Sequence, residues 1–202
     1  MAPELEALFV GDPPDTWRAA GFAVDDDGAC QVGQVTIRLG GEGSGMHSWA
    51  LRGVDPGDVD GIATLEAGTG PAVPADHPNG VLSIDHVVAL TSNLDRTVAA
   101  LEATGMELRR TRRDERLERP RLQAFFRIGE PILEVIGPEE PRSDKPARLF
   151  GLAYTVGDLE ATAEVLGEDL GAPKDAVQEG RRIATLRHEP LGLSVATAFM
   201  SA

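Results

Sequence analysis

The 202 residues carry 19 basic and 33 acidic groups, a net charge of −14, with 42% hydrophobic residues and one cysteine. That hydrophobic fraction fits a globular chain, and the negative balance argues against nucleic acid and anionic membrane as partners, since both need a positive footprint. No apolar run approaches the roughly 18 residues that span a bilayer, an internal disulfide is ruled out, and the acidic start at residues 1–6 lacks a signal peptide's basic region, so a cytoplasmic protein is expected.

In chain order, residues 1–66 read as a module-like segment. Strands are expected at 5–10, 30–39 and 47–54, with a short helix at 13–20. The stretch Gln34–Gly40 resembles Gln123–Gly129 further on. Residues 40–45 are rich in glycine but lack the Lys and the strand–helix context of a phosphate loop, so they read as a hairpin loop. Cys30 has no evident His partner and reads as a small core residue. Residues 67–81, rich in Gly and Pro, read as a linker.

A first full unit occupies 82–138. Its strand at 83–90 is β-branched, and its helix at 93–104 places Leu94, Val98 and Leu101 at helical spacing behind Ser92 or Asn93 as cap. Strands at 106–113, 122–128 and 131–137 complete it. After a proline-punctuated linker at 139–147, residues 148–202 repeat the order. A strand at 149–156 leads to a helix at 158–167 capped by Asp158, a short strand near 175–179, and strands at 181–187 and 192–199.

The repeat is explicit in the residues. Leu94 matches Leu159, and Ala124–Arg127 matches Ala184–Arg187. A repeat of supersecondary size fixes architecture before anything else does. It also exposes a difference: His86 falls on Gly151, and Glu134 falls on Ser194.

The phrase Ile84-Asp85-His86-Val87-Val88, the helix opening at Leu94-Asp95 and the closing Ile132-Leu133-Glu134-Val135-Ile136 resemble the vicinal oxygen chelate superfamily. That superfamily includes glyoxalase I, extradiol dioxygenases, fosfomycin-resistance enzymes and bleomycin-resistance proteins. The resemblance implies an α+β fold. Tandem βαβββ modules would form a curved mixed sheet that cups a small molecule, with an N-terminal degenerate third module. It also implies a divalent metal (Zn, Fe, Ni, Mn or Co) on the first and last strands of each module. His86 and Glu134 match two such ligands; Gly151 and Ser194, at the other two places, supply no useful donor. A third ligand would have to come from His188, His47, His77 or a partner chain.

Two functions follow. The first is a glyoxalase/bleomycin-resistance-like protein with an incomplete metal site, or none. It would bind a ligand in a cup lined by His86, Glu134, Phe126, Phe150, Tyr154 and Trp49, with the acidic chain favouring a cation. The second is a metal-dependent lyase, isomerase or dioxygenase. A His86–Glu134 pair without metal could also act by orienting the imidazole as a base, or form an ion pair without catalysis. An odd third module would leave sheet edges exposed, so it is expected to pack on the tandem pair or across a homodimer.

Residues 109–121 hold seven arginines, a positive patch in an acidic chain. It reads either as a guide for an anionic substrate or as a solvated strand and loop laced with Asp114, Glu115 and Glu118.

Overall fold

The computed structural model describes residues 2–68, 73–115 and 120–202. Of the arginine-rich stretch, residues 116–119 lie outside the described residues, as do 69–72 of the linker. Fourteen strands and three α-helices are described. In the N-terminal part these are β1 (Glu4–Val10), α1 (Pro14–Ala19), β2 (Ala29–Val32), β3 (Val35–Arg38), β4 (Met46–Arg52), β5 (Gly57–Val59) and β6 (Ile62–Leu65). The middle contributes β7 (Val81–Leu90), α2 (Leu94–Ala103), β8 (Leu108–Asp114), β9 (Arg121–Arg127) and β10 (Ile132–Pro138). The C-terminal part contributes β11 (Arg148–Val156), α3 (Leu159–Leu166), β12 (Lys174–Asp175), β13 (Arg182–Thr185) and β14 (Ala196–Ser201). Among the described residues, no helix is long and apolar enough to cross a membrane.

Two mixed sheets result. One has six strands in the order β2-β3-β1-β4-β6-β5, the other eight in the order β12-β13-β14-β11-β7-β10-β9-β8. The larger sheet is two βαβββ modules joined where β7 meets β11 antiparallel. In each module the first strand lies parallel to the last, β7 to β10 and β11 to β14. Helix caps follow local chemistry: Asn93 accepts from the Arg96 N–H, and Asp158 accepts from the Glu160 and Ala161 N–H groups.

The smaller sheet repeats this plan in reduced form. Strands β1 and β4 meet antiparallel at its centre, with β1 parallel to β3 and β4 parallel to β6. The N-terminal segment therefore holds two reduced modules. The first keeps its helix and drops one strand; the second drops both the helix and a strand.

A shared irregularity makes the four modules equivalent. Each first strand carries an extra residue within its pairing to the central partner, Glu6 in β1, His47 in β4, Asp85 in β7 and Phe150 in β11, and β7 skips a second, Leu82, near its start. Such a bulge shifts the inside–outside alternation by one residue. The shift shows in the buried residues: Leu5 then Leu8 and Val10; Met46 then Trp49 and Leu51; Ile84 then Val87 and Ala89; Leu149 then Leu152 and Tyr154.

The two sheets share one apolar core. Polar ties cross between them. Asp60 accepts from Arg96 Nε at 2.6 Å and from the Thr97 hydroxyl, and its carbonyl accepts from the Ala147 N–H at 2.7 Å. Asp12, buried, accepts from Trp17 Nε1 at 3.0 Å and from the N–H and hydroxyl of Ser194. Cys30 sits in this core, and burial pushes its thiol up to about 12.

Candidate functional site

The site grows from the bulge in β7. Asp85 is the extra residue, so its side chain and that of His86 come together instead of pointing to opposite faces. His86 Nδ1 lies 2.9 Å from Asp85 Oδ1. Arg181 donates from Nη1 to Asp85 Oδ2 at 2.6 Å, and its own Nε donates to the Ser201 carbonyl at 2.7 Å. Burial pushes the Asp85 carboxyl up, but the hydrogen bonds from His86 and Arg181 outweigh it and hold the group down at about 2. An ionised carboxylate only accepts, so the Nδ1 facing it carries a proton.

The other ring nitrogen, Nε2, faces Glu134, whose Oε2 lies 3.5 Å away, longer than a good hydrogen bond. Glu134 stands opposite Val88 on the parallel strand β10. Burial pushes its carboxyl up; His86, Arg112 and Arg110 pull it partly back. These groups line a cavity of about 350 Å³ with Gln123, Phe125, Ile132, Ile136, Ile183 and Met200.

The two main candidates, His86 and Glu134, are thus brought together. The aromatic candidates mostly are not. Trp49, Phe126 and Tyr154 are fully enclosed in the core, with Trp49 donating its N–H to Thr64 and Tyr154 stacked on Phe199. On β9 the alternation turns Phe126 inward, and Phe125 lines the cavity. Phe150, 41% exposed, borders a shallower recess next to His86.

The register also corrects one repeat position. Glu134 lies opposite Val88, two residues beyond His86; the matching place beyond Gly151 lies opposite Ala153 and is Ala198. Ser194 precedes β14, in a turn where the Leu193 N–H reaches the His188 carbonyl, and it binds Asp12. The run Leu193-Ser194-Val195 looks like strand because its apolar residues are buried, but they cover the core from a loop.

Register equivalence gives the eight places that His86 and Glu134 and their counterparts occupy across the four modules. On the first strands they are Ala7, Ser48, His86 and Gly151. On the parallel partners they are Arg38, Leu65, Glu134 and Ala198. Only His86 and Glu134 carry metal-ligating side chains. The remaining histidines are placed elsewhere: His77 uses both ring nitrogens on backbone partners at Ala23 and Gln31, His47 pairs with the Ser48 hydroxyl, and His188 lines a different recess. Among the described residues, no group of three or more His, Cys, Asp or Glu side chains could hold a metal ion. Transition-metal sites in proteins use at least three protein ligands, so this donor set does not fit one held by a single chain.

Asp85, Arg181, Gln123 and Phe125 were not reached from the sequence. Asp85 and Phe125 had a signal: the two-residue gap between Ile84 and Val87 marks the bulge, and the strand phase of β9 selects Phe125 over Phe126. Arg181 had none, being brought in from 96 residues away.

No family model matches the sequence, and no curated protein matches it either. Solved structures do. A mutant of 4-hydroxymandelate synthase from Streptomyces coelicolor superposes with a TM-score of 0.67 over 98% of this chain and 92% of that one, at 13% identity. A fusion of a xylose isomerase-like TIM barrel with 4-hydroxyphenylpyruvate dioxygenase gives 0.64, covering 98% of this chain and 49% of that one, at 14% identity. An extradiol ring-cleaving dioxygenase from B. fuscum gives 0.63, over 100% and 73%, at 12% identity. This is the vicinal oxygen chelate fold. Within the vicinal oxygen chelate fold, the cup is the face that carries His86 and Glu134, and the reduced N-terminal pair packs behind it on the shared core.

Proposed function

We propose that this chain is a cytoplasmic small-molecule-binding protein of the glyoxalase/bleomycin-resistance kind, with a cup that works without a resident metal. The observation that supports this most is the eight-position register, in which donors survive only at His86 and Glu134. The cup nevertheless keeps a half-open cavity of about 350 Å³, within the range of small-molecule sites. Its walls pair apolar Ile132, Ile136, Ile183 and Met200 with a few convergent polar groups. In this reading His86 Nε2 meets a donor on the ligand, and Asp85 with Arg181 fixes the ring for that task.

Metal analysis tests the proposal. The purified protein is dialysed against Zn, Fe, Ni, Mn or Co, beside a His86→Ala variant. Substoichiometric metal, unchanged by the substitution, is expected. One metal per chain, lost in His86→Ala, would overturn it in favour of a metal-dependent lyase, isomerase or dioxygenase that borrows a third ligand from a partner chain.

A further inference from the structure

The cavity beside His86 is lined by two guanidinium groups, those of Arg110 and Arg112, that form no salt bridge among the described residues. Arg110 and Arg112 alternate on β8, so both reach the same face of the sheet, and both line the cavity. Each lies against the Phe125 ring, with Cζ at 4.6 Å and 5.6 Å from its centroid. Arg112 donates from Nε to Gln123 Oε1 at 2.7 Å, which fixes the head and leaves its two terminal nitrogens open to the cavity.

The cavity also holds carboxylates, each with other partners or neighbours. Asp85 is committed to His86 and Arg181. Lys174 and Asp175, from the edge strand β12, offset each other at the rim. Glu134 is the buried acid they face: burial pushes its carboxyl up, Arg112 and Arg110 pull it partly back, and Asp114, on the same face of β8, stands near it. The contrast with a second recess, of about 490 Å³ between β1 and β8, is informative. There Arg109 pairs with Glu107 at 2.9 Å and Arg52 with Glu4 at 3.8 Å. Arg127 of that recess likewise forms no salt bridge among the described residues and donates to the Gly129 carbonyl instead.

We infer that Arg110 and Arg112 form an anion subsite of the cup, taking a small organic molecule with a carboxylate or phosphate at one end and an apolar body at the other. Arg's planar fork suits both oxyanions, and stacking on Phe125 holds the forks in place. The apolar body lies along Ile132, Ile136 and Met200, which brings the ligand's middle to His86 Nε2. This reverses the cationic preference that net charge alone suggests: the two guanidiniums converge on one end of the cavity, while the chain's remote carboxylates are screened. The inference rests on the small-molecule reading of the cup.

The test uses benzoate, phenyl phosphate, benzylammonium and benzyl alcohol, which share a ring and differ in the charged end. Binding is followed through backbone amide shifts of His86, Phe125 and Ile132 in the full chain. Benzoate or phenyl phosphate is expected to bind on the order of tenfold tighter than benzyl alcohol. Arg112→Gln, and separately the exposed Arg110→Gln, is expected to remove that advantage and leave benzyl alcohol unchanged. A preference for benzoate identifies a carboxylate ligand, and one for phenyl phosphate a phosphorylated ligand. Benzylammonium or benzyl alcohol binding in the cup as tightly as the anions, or anion binding unmoved by both substitutions, overturns the anion subsite and leaves the cup reading standing. No probe shifting any cup amide overturns both.

Discussion

His77 shows how one side chain is assigned by its partners. Its Nδ1 accepts from the Ala23 N–H at 3.0 Å, so Nε2 carries the proton and donates to the Gln31 carbonyl, also at 3.0 Å. Protonating Nδ1 would break the first bond, and burial pushes the imidazole below its ordinary 6.5. Because the folded value is depressed, the unfolded chain takes up the proton first as pH falls. The stabilisation is full above pH 6.5 and is lost as pH drops through 6.5 toward the folded value. Urea midpoints at pH 7.5 and 5.5 should therefore fall more for the native chain than for His77→Gln; equal falls would refute the assignment. Sequence placed His77 in a linker and kept it as a spare metal ligand, because nothing local to residues 67–81 shows that the segment is pinned to β2 and α1. His86 and Glu134 were legible because their ligand-like setting is local to two strands. Arg181 and Asp12 were not, because each acts on residues far away in the chain.

At the scale of elements, the bulged first strand carries most of the explanation. Its pattern is one core residue, two outside the core, then two core residues alternating, four times over. Strand alternation alone does not anticipate the gap, and a strict period of two puts either Ile84 or Val87 on the wrong face. Sequence captured the larger modules for this reason: β7, α2, β10 and β11 are long enough to show their period. The strands β5 and β6, of three and four residues, carry too little pattern, and glycines at 57 and 61 disguise them as loop. The register also predicts what cannot be rebuilt. A Cβ at Gly151 would lie 2.6 Å from the Ala196 carbonyl oxygen and 3.2 Å from its Cβ, so β14 leaves no room for a side chain. Gly151→His should lower stability by about 1–3 kcal/mol in denaturant melts, as overpacking does, without creating stoichiometric metal binding. A chain of native stability that takes up one metal would show that β14 yields more easily than this packing implies. Ala198 is the more permissive place, with a methyl already facing the shallow recess.

For the whole molecule, the consequential fact is that both sheets close on one core. The reduced pair does not need a second copy to cover it, because β4 and β2 pack against β11 and β7. Asp60 ties the halves most directly: it sits in a left-handed turn at φ 50° and holds Arg96 and Thr97 of α2. Its side chain is 8% exposed. Asp60→Ala leaves the Arg96 head only the Lys145 carbonyl and should cost about 2–3 kcal/mol. In a chain of this size that lowers the melting temperature by roughly 4–12 °C, read by calorimetry. A shift within 1 °C would mean that the halves are held by apolar packing alone.

The four bulges also bear on how far such a chain can drift. A bulge is a rivet: pairing on either side of it can be trimmed, but the strand cannot slide past it. Strands β3 and β6 have shrunk to four residues where β10 keeps seven, yet Ala7 and Ser48 still occupy the places of His86 and Gly151. Erosion from the outer edges therefore removes sequence signal while leaving backbone position untouched. That is the situation of a chain superposing over its whole length on proteins with which it shares only 12–14% of its residues.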